Sequence, residues 1–227
     1  MEYKYETHCH TSECSKCGKV SAKELVGFYV SKGYTGIVIT DHFIGNTAVP
    51  QHYNWKDRVN YFCKGYNSAR EEGKKLGLDV FFSLEYSDMG NDFLLYGIEP
   101  EFLLENPDMG DIGMTKVLRR VRDAGAFIIH AHPFLQAEYI DSIRLVPSLI
   151  DAVEVVHGGG GSGKEFTRRN MFYADEYGLL KTGGTDTHHF NIEGKLTGIA
   201  LERRAENILD LAAQIKAGKS RVLDPTS

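Results

Sequence analysis

Histidines and acidic residues recur along this chain directly after short apolar segments. The apolar run at residues 35–40, for example, is followed at once by Asp41 and His42. Amphipathic stretches of helical length separate these runs, and such alternation predicts βαβ units with a largely parallel sheet. Of the nine histidines, all but His52 lie at or just after the end of a strand-like run. The pattern therefore predicts an α/β fold whose polar residues collect at the strand ends.

The carboxyl ends of parallel strands meet on one face of an α/β sheet or barrel, and active sites lie on that face. Six predicted strand ends carry metal-ligating residue types: His8 and His10; Asp41 and His42; Glu85; His130 and His132; His157; and Asp186, His188 and His189. Residues i and i+2 of a strand point the same way, so His8 and His10 project together while Cys9 faces away, and the same spacing pairs His130 with His132. We therefore expect one converging cluster of imidazole and carboxylate groups.

Neutral imidazole and carboxylate groups are ligands for zinc, manganese or iron. A set this large exceeds the needs of one tetrahedral ion, and the scarcity of thiolates in it argues against a closed structural zinc site. We therefore predict two or three divalent metal ions, with Glu85 as the candidate bridging carboxylate. Neighbouring ions lower the pKa of a shared water and stabilise a leaving oxygen, which predicts a hydrolase.

Charge and composition exclude several other kinds of protein. Lysine and arginine total 26 against 31 aspartate and glutamate, a net charge of −5, which gives no electrostatic reason to bind nucleic acid. The charged N-terminus has no signal-like apolar segment and no run is long enough to span a membrane, so we expect a cytoplasmic protein with reduced cysteines. Without a linker or an internal repeat, residues 1–227 are expected to form one domain.

Cys14 and Cys17 form an isolated C-x-x-C pair. A zinc knuckle needs a second pair, and a redox motif needs a closer strand–motif–helix frame, so a loop with two thiols is the favoured interpretation. Because this loop follows His8 and His10, Cys17 could still reach a metal.

Residues 158–164, GGGGSGK, follow a predicted strand and precede a predicted helix, as a phosphate-binding P-loop does. Glu165 occupies the position where a P-loop has serine or threonine for magnesium, which argues against that motif. Backbone amides at the helix N-terminus, with Lys164 and Arg168, are candidates for holding a substrate phosphate, and the alternative is a solvent-exposed loop. His157 is the candidate substrate contact or proton donor.

The order of these motifs resembles that of the PHP (polymerase and histidinol phosphatase) family of metallophosphoesterases over nearly the whole chain. The matching residues are H-x-H at His8 and His10, T-D-H at Asp41 and His42, the strand-end Glu85, A-H-P at His132, and the closing D-x-H at Asp186 and His188. The resemblance implies a distorted seven-stranded (β/α) TIM-like barrel with a di- or trinuclear metal site. It also implies hydrolysis of a phosphorylated small molecule, a phosphomonoester above all, by a metal-bound hydroxide.

The resemblance further implies roles for individual residues. One ion would be held by His8, His10, Glu85 and Asp186, a second by Glu85, His132 and a residue of the following strand, and a third by His42 and His188. The chain departs from the family pattern at two positions. Asp92 stands where a histidine is usual. In the loop after the H-x-H, Glu13 is the first candidate metal ligand and Cys17 the second. Asp41 is expected to accept the proton of a ligand histidine and so fix its tautomer.

Two other interpretations remain open. An amidohydrolase-like enzyme that attacks a C–N or C–O bond also begins with H-x-H and ends with a strand-end aspartate, but it usually has a carboxylated lysine or a glutamate and lacks the D-x-H ending. A non-catalytic PHP-type module, as found fused to DNA polymerases, is the third possibility. This chain keeps most of the ligand types and has no polymerase region, which ranks that possibility last.

Overall fold

The computed structural model describes residues 2–159, 163–190 and 196–224. In these residues the strands are β1 (Tyr3–Cys9), β2 (Gly36–Ile39), β3 (His42–Ile44), β4 (Asp79–Phe82), β5 (Glu85–Asp88), β6 (Asn91–Tyr96), β7 (Phe127–Ala131), β8 (Ala152–His157), β9 (Leu180–Gly184), β10 (Gly198–Leu201) and β11 (Ser220–Leu223). The helices are α1 (Ala22–Ser31), α2 (Trp55–Leu76), α3 (Pro100–Glu105), α4 (Met114–Asp123), α5 (Lys164–Glu176) and α6 (Ile208–Lys216). None of the described helices combines the length and the apolar character needed to cross a membrane.

The described strands form two sheets. One has five strands in the order β11-β10-β1-β2-β4, and the other has six in the order β3-β5-β6-β7-β8-β9. The predicted α/β class is confirmed, whereas closure of the strands into a (β/α)7 barrel is not seen in the described part of the chain. Parallel pairs predominate around β1, β2 and β4 and around β7, β8 and β9, but antiparallel pairs flank both groups.

A tight turn between β5 and β6 accounts for part of this difference. Met89 and Gly90 form the turn with φ angles of 53° and 78°, and Asp88 pairs with Asn91 across it. A two-residue loop with positive φ at both positions matches the twist of an antiparallel hairpin. β6 is consequently antiparallel to both β5 and β7, which interrupts the parallel order of a βα barrel.

Two strands of one sheet lead directly into strands of the other. β2 ends at Ile39 and β3 begins at His42, whereas β4 ends at Phe82 and β5 begins at Glu85. His42 and Glu85 are register partners in the parallel pair β3–β5. The two-residue connections between these strands therefore place an imidazole beside a carboxylate at the point where the sheets meet.

The segments that carry the first and last predicted ligands are also joined. Cys9 and Thr187 form an isolated parallel bridge, and the backbone N–H of His10 donates to the carbonyl of Thr187 at 3.1 Å. This contact brings the H-x-H at the start of the chain beside the D-x-H near its end.

Helices cover the sheets, and their ends follow the sequence signals. A capping box begins α1, because Ser21 Oγ accepts from the Glu24 backbone N–H while the Glu24 carboxylate accepts from the Ser21 N–H. Gly77, in the left-handed conformation with φ 77°, ends α2, a position at which glycine is favoured. On the inner side, Val117 of α4 and Ile128 of β7 belong to the same buried apolar cluster.

Candidate metal centre

The predicted ligands converge in one place. The side chains there form four groups, and within each group the ligand atoms lie within 4.8 Å of one another. The groups are His8, His132 and Asp186; His8, His10 and Glu85; Glu85, Asp92 and His132; and His10, Cys17, His42 and His188. The structure thus brings together every predicted metal ligand except Glu13, and it adds Cys17.

His8 is oriented by a buried carboxylate. Oε1 of Glu154, in β8, lies 3.0 Å from Nδ1 of His8. Burial would raise the pKa of Glu154, but His8 and His157 together outweigh burial and lower this pKa to about 2, so the carboxylate accepts and Nδ1 of His8 carries the proton. Nε2 of His8 then faces Glu85 and Asp186, both 3.3 Å away. This is the tautomer that an Nε2 metal ligand requires.

Glu154 is a candidate functional residue that the strand-end pattern does not reveal. Its second oxygen accepts from the His132 backbone N–H at 3.1 Å and lies 3.3 Å from Nδ1 of His157. One carboxylate therefore positions three histidine-bearing segments. A signal does exist in the sequence: Glu154 is the one charged residue of the apolar run 152–156, where a carboxylate without partners would be costly to bury.

Asp41 acts on His10 through Ser15. Oγ of Ser15 lies 2.7 Å from Oδ1 of Asp41 and 3.1 Å from Nδ1 of His10. Because the single hydroxyl proton is donated to Asp41, Ser15 Oγ accepts the Nδ1 proton of His10. In the neutral ring Nε2 is then the nitrogen with the lone pair, and it faces Glu85 and Asp186 at 3.2 and 3.0 Å. The contact expected between Asp41 and a ligand histidine thus runs through the Ser15 hydroxyl.

Glu85 and Asp186 supply the negative charge at the middle of the cluster. Burial would raise the pKa of both carboxyl groups, but the histidines around them, His8 among them, hold both pKa values well below the usual range. Oε1 of Glu85 and Oδ1 of Asp186 are buried and have no hydrogen bond of standard geometry among the described residues. Buried carboxylate oxygens that lack hydrogen bonds are stabilised by an adjacent positive charge, which a metal cation or a protonated imidazole supplies.

The donor set fits divalent metal ions. The Nε2 atoms of His8 and His10 lie 3.2 Å apart, close to the same carboxylates. Without a cation, an imidazole nitrogen lies this close to a carboxylate oxygen when it carries a proton. Burial would lower the pKa of His8, but the charges of Asp186 and Glu85 raise this pKa well above its usual value. Imidazole and carboxylate ligands with one thiol suit zinc, manganese or iron.

Asp92 lies in the cluster, although it stands where the family pattern has a histidine. Nε2 of His132 is 3.5 Å from Oε1 of Glu85 and 3.9 Å from Oδ2 of Asp92. Burial, with the nearby charge of Glu85, raises the pKa of Asp92 to about 6. A bound cation favours the charged form of a carboxyl group, so these three side chains are able to share an ion.

Three imidazoles and a thiol form the more open side of the cluster. The ring of His10 stacks on those of His42 and His188, with centroids 4.6 Å apart in both pairs. Burial lowers the pKa of His42 to about 3 and that of His188 to about 4, so both rings are neutral near pH 7. Burial raises the pKa of the Cys17 thiol to about 12, a shift that a coordinated cation would reverse.

Two residues of the cluster have backbone conformations that are unusual for residues with a side chain. His132 has φ 31° and Asp186 has φ 52°. Such conformations cost about 1–3 kcal/mol and persist where surrounding contacts enforce them. Because of this conformation at His132, the side chains of His130 and His132 do not point the same way, contrary to the expected i, i+2 spacing. The ring of His130 is buried against Phe93, with centroids 4.6 Å apart, and belongs to none of the ligand groups.

Three predicted site residues lie elsewhere. The carboxylate of Glu13 accepts from the backbone N–H of Ala22 at 3.1 Å, at the start of α1. The guanidinium of Arg168 is exposed and bonds to Glu165 at 2.8 and 2.9 Å. Lys164 is exposed at the start of α5 and lines a different depression from the ligand cluster.

His157 lies beside the cluster at the end of β8. Its Nε2 is 3.9 Å from Oδ2 of Asp186. The backbone at Gly159 passes so close to this imidazole that a Cβ there would overlap it. His157 is thus near enough to contact a group bound at the cluster. Residues 160–162 of the glycine-rich run lie outside the described residues.

The ligand cluster lines a cavity of about 540 Å³. Loop residues such as Asn46, Met89, Leu135 and Tyr139 contribute to its walls. Among the described residues that line it, none is a lysine or an arginine, whereas three are acidic. An anion in this cavity would lie close to these carboxylates, and bound cations would neutralise their charge.

Comparison with known proteins finds likeness in structure. No family model matches the chain, and no curated protein matches its sequence. The chain is similar to the crystal structure of a two-domain protein from Bacteroides vulgatus that contains a predicted PHP-like metal-dependent phosphoesterase, with a TM-score of 0.74 and 17% identity. The match covers 98% of this chain and 64% of that one, so the chain spans less than two thirds of the two-domain protein.

Two further solved structures are similar. A protein from Bifidobacterium adolescentis, named as a candidate metal-dependent phosphoesterase, matches with a TM-score of 0.56 and 17% identity over 82% of this chain and 88% of that one. An amidohydrolase from Chromobacterium violaceum, solved with bound sulfate and no metal, matches with a TM-score of 0.54 and 13% identity over 98% of both chains. At these identities the likeness establishes a shared fold, and that fold is found in PHP-like metal-dependent phosphoesterases.

Proposed function

We propose that this protein is a metal-dependent phosphoesterase that hydrolyses a phosphorylated small molecule, with a phosphomonoester as the first candidate. The observation that carries the proposal is the cavity. Imidazole and carboxylate groups converge on it, and its described lining includes acidic residues but no lysine or arginine. Cations bound at the ligand cluster would supply the positive charge that a phosphate group needs there, which would couple substrate binding to metal binding.

Two or three divalent ions, with zinc, manganese and iron as candidates, fit the residues. His8, His10, Glu85 and Asp186 would hold one ion, Glu85, Asp92 and His132 a second, and His42 with His188 a third. Bound ions of this kind activate water and neutralise phosphoryl oxygens. The polar groups around them keep the ligands in place, because Glu154 and Ser15 each hold the Nδ1 proton of an imidazole whose Nε2 faces the centre.

His157 is the proposed proton donor to the leaving oxygen. Its Nδ1 lies 3.3 Å from the Glu154 carboxylate, which orients the ring. Its Nε2 lies at the edge of the cluster, 3.9 Å from Asp186. A protonated Nε2 at this position can donate to an alkoxide as the ester bond breaks.

The test compares metal-stripped and reconstituted protein against a panel of phosphomonoesters. We expect activity only after reconstitution, and we expect Glu85→Gln and Asp186→Asn to lose nearly all of it. Glu13→Gln is the matched control, because Glu13 is an acidic residue of the loop after the H-x-H but lies outside the cluster. Phosphatase activity that survives metal removal, or that Glu85→Gln leaves unchanged, would rule the proposal out.

Hydrolysis of a C–N or C–O bond on the same ligand cluster is the second candidate function. The structural likeness to the Chromobacterium violaceum amidohydrolase favours it, although that structure superposes less closely than the Bacteroides vulgatus protein. The same reconstituted protein should therefore be assayed against amides and lactones. Turnover of these substrates without turnover of any phosphate ester would select this second function.

A further inference from the structure

The loop between β1 and α1 contains two cysteines in very different environments. Cys14 is fully buried in the apolar core, where its thiol donates to the backbone carbonyl of Phe62 at 3.0 Å. Cys17 is partly exposed and lines the cavity of the ligand cluster. Its sulfur belongs to the group of ligand atoms, all within 4.8 Å of one another, that includes His42 and His188. The two cysteines of the C-x-x-C pair therefore differ: Cys14 packs in the core, whereas Cys17 lines the cavity.

Backbone contacts hold the Cys17 loop against the segments that carry both histidines. The N–H of Lys16 donates to the carbonyl of Asn46 at 3.1 Å, four residues after His42. The N–H of Lys19 donates to the carbonyl of His188 at 2.8 Å. The hydrogen bonds on either side of Cys17 thus keep its thiol close to the two imidazoles.

His10 belongs to the group with Cys17, His42 and His188 only because one of its ring nitrogens lies within 4.8 Å of their ligand atoms. Its Nδ1 proton is accepted by Ser15, and its Nε2 lies 3.2 and 3.0 Å from Glu85 and Asp186. An imidazole nitrogen has one lone pair, so Nε2 of His10 would serve an ion held by those carboxylates and would not be available to a second ion. The three remaining ligands of the group are Cys17, His42 and His188.

We propose that Cys17, His42 and His188 form a separate thiolate-containing metal site that prefers a soft divalent cation such as zinc over manganese or magnesium. This inference rests on the metal centre of the proposed function and adds to it the ligand and the metal preference of the third position. Thiolate ligands select zinc and iron, whereas all-oxygen sets suit magnesium and manganese. Three protein ligands leave a position open for water or substrate, as at catalytic zinc sites.

Metal binding at this site releases one proton, that of the Cys17 thiol. The Cys17 S–H bond breaks as the sulfur–metal bond forms, and the proton passes to solvent. The two imidazoles bind as neutral rings and release none. Nothing is oxidised or reduced.

Cobalt spectroscopy tests the proposal without any assay of activity. Metal-stripped protein is titrated with Co²⁺, and a near-ultraviolet band from thiolate-to-cobalt charge transfer is recorded. The wild type and Cys63→Ser should show the band, since Cys63 lies in α2 and belongs to none of the ligand groups. Cys17→Ser should lack the band. A wild type without the band, a band that persists in Cys17→Ser, or protein that binds no cobalt would each overturn the proposal.

X-ray absorption of the zinc-loaded wild type gives an answer that requires no variant. A sulfur scatterer about 2.3 Å from zinc is expected, and its absence would overturn the proposal. Competition between zinc and manganese then tests the preference: Cys17→Asp should shift this site toward manganese relative to wild type, and an unchanged ratio would contradict the soft-site assignment.

These outcomes are distinguishable from those of the phosphatase assay. A cobalt–thiolate band in a protein that hydrolyses no phosphate ester would support the Cys17 site while the proposed function fails. Phosphatase activity in a protein without the band would do the reverse.

Discussion

Glu154 places a carboxylate oxygen 3.0 Å from Nδ1 of His8, a contact between residues 146 positions apart in the chain. The same carboxylate accepts from the backbone of His132 and faces His157. Glu154 contacts His8 and His132, which are members of the ligand groups, but does not itself belong to any group. Glu154 is therefore placed to orient the histidine ligands.

Glu154→Gln should weaken metal binding by roughly 10- to 100-fold, the range typical of carboxylates that orient ligand histidines. An amide has one accepting oxygen where the carboxylate has two, so one of its NH₂ hydrogens would face His8, His132 or His157. Metal affinity of the stripped protein, measured by calorimetric titration, checks this. Glu13→Gln should leave the affinity unchanged, and equal effects of both variants would contradict the assigned role.

Ser15→Ala should disrupt the link from Asp41 to His10. The buried backbone N–H of His42, which donates to Ser15 Oγ at 3.0 Å, would also lose its acceptor. An unpaired buried polar group costs about 1–3 kcal/mol, so the free energy of unfolding in urea should fall by about that amount and metal affinity should drop. Ser12→Ala, on an exposed residue of the same loop, is the control and should change neither quantity.

Metal-free protein should lose stability as the pH rises toward 9. Burial would lower the pKa of His10 and His132, but their carboxylate neighbours, Glu85 for both, outweigh burial and raise each pKa from 6.5 to about 9. A histidine pKa raised by folding gives stability that is fully present below pH 6.5 and is lost as pH passes through about 9.

Metal-loaded protein should behave differently over the same pH range. Bound cations replace the protons on these imidazoles, so the thermal midpoint should stay level or rise where that of metal-free protein falls. Metal binding near pH 7 should also release protons, which calorimetry in buffers of different ionisation enthalpy detects. Parallel pH profiles with and without metal would contradict this account.

Gly65→Ala should destabilise the fold. Gly65 lies in α2, and a Cβ there would lie 2.7 Å from Oδ2 of Asp41 and closer still to Thr11 Oγ1. Overpacking of this kind costs about 1–3 kcal/mol. Gly27 of α1 has open space around its Cβ position, so Gly27→Ala should stabilise the protein by about 0.5–1 kcal/mol. Urea unfolding of both variants checks the contrast, and changes of the same sign, or a stabilised Gly65→Ala with a destabilised Gly27→Ala, would refute it.

Much of the fold was predictable because its signals are local. The capping box at Ser21 and Glu24 and the left-handed Gly77 act on neighbouring backbone groups, and both helix ends lie where these residues indicate. The antiparallel β5–β6 pair depends on the turn at Met89 and Gly90, where a non-glycine residue adopts positive φ. No periodicity of apolar residues reports that turn, and the closed barrel that the family resemblance implied is not seen among the described residues.

The sequence by itself determined which residue types stand at the strand ends, and hence that His8, Glu85 and Asp186 were candidates for one metal centre. Alternation along a strand and the convergence of strand ends are short-range rules, and they were sufficient for that. Only the tertiary structure decided that Cys17 rather than Glu13 lies in the cluster and that Glu154 orients His8. Those outcomes depend on contacts between segments far apart in the chain, and the packing of the whole core sets which segments meet.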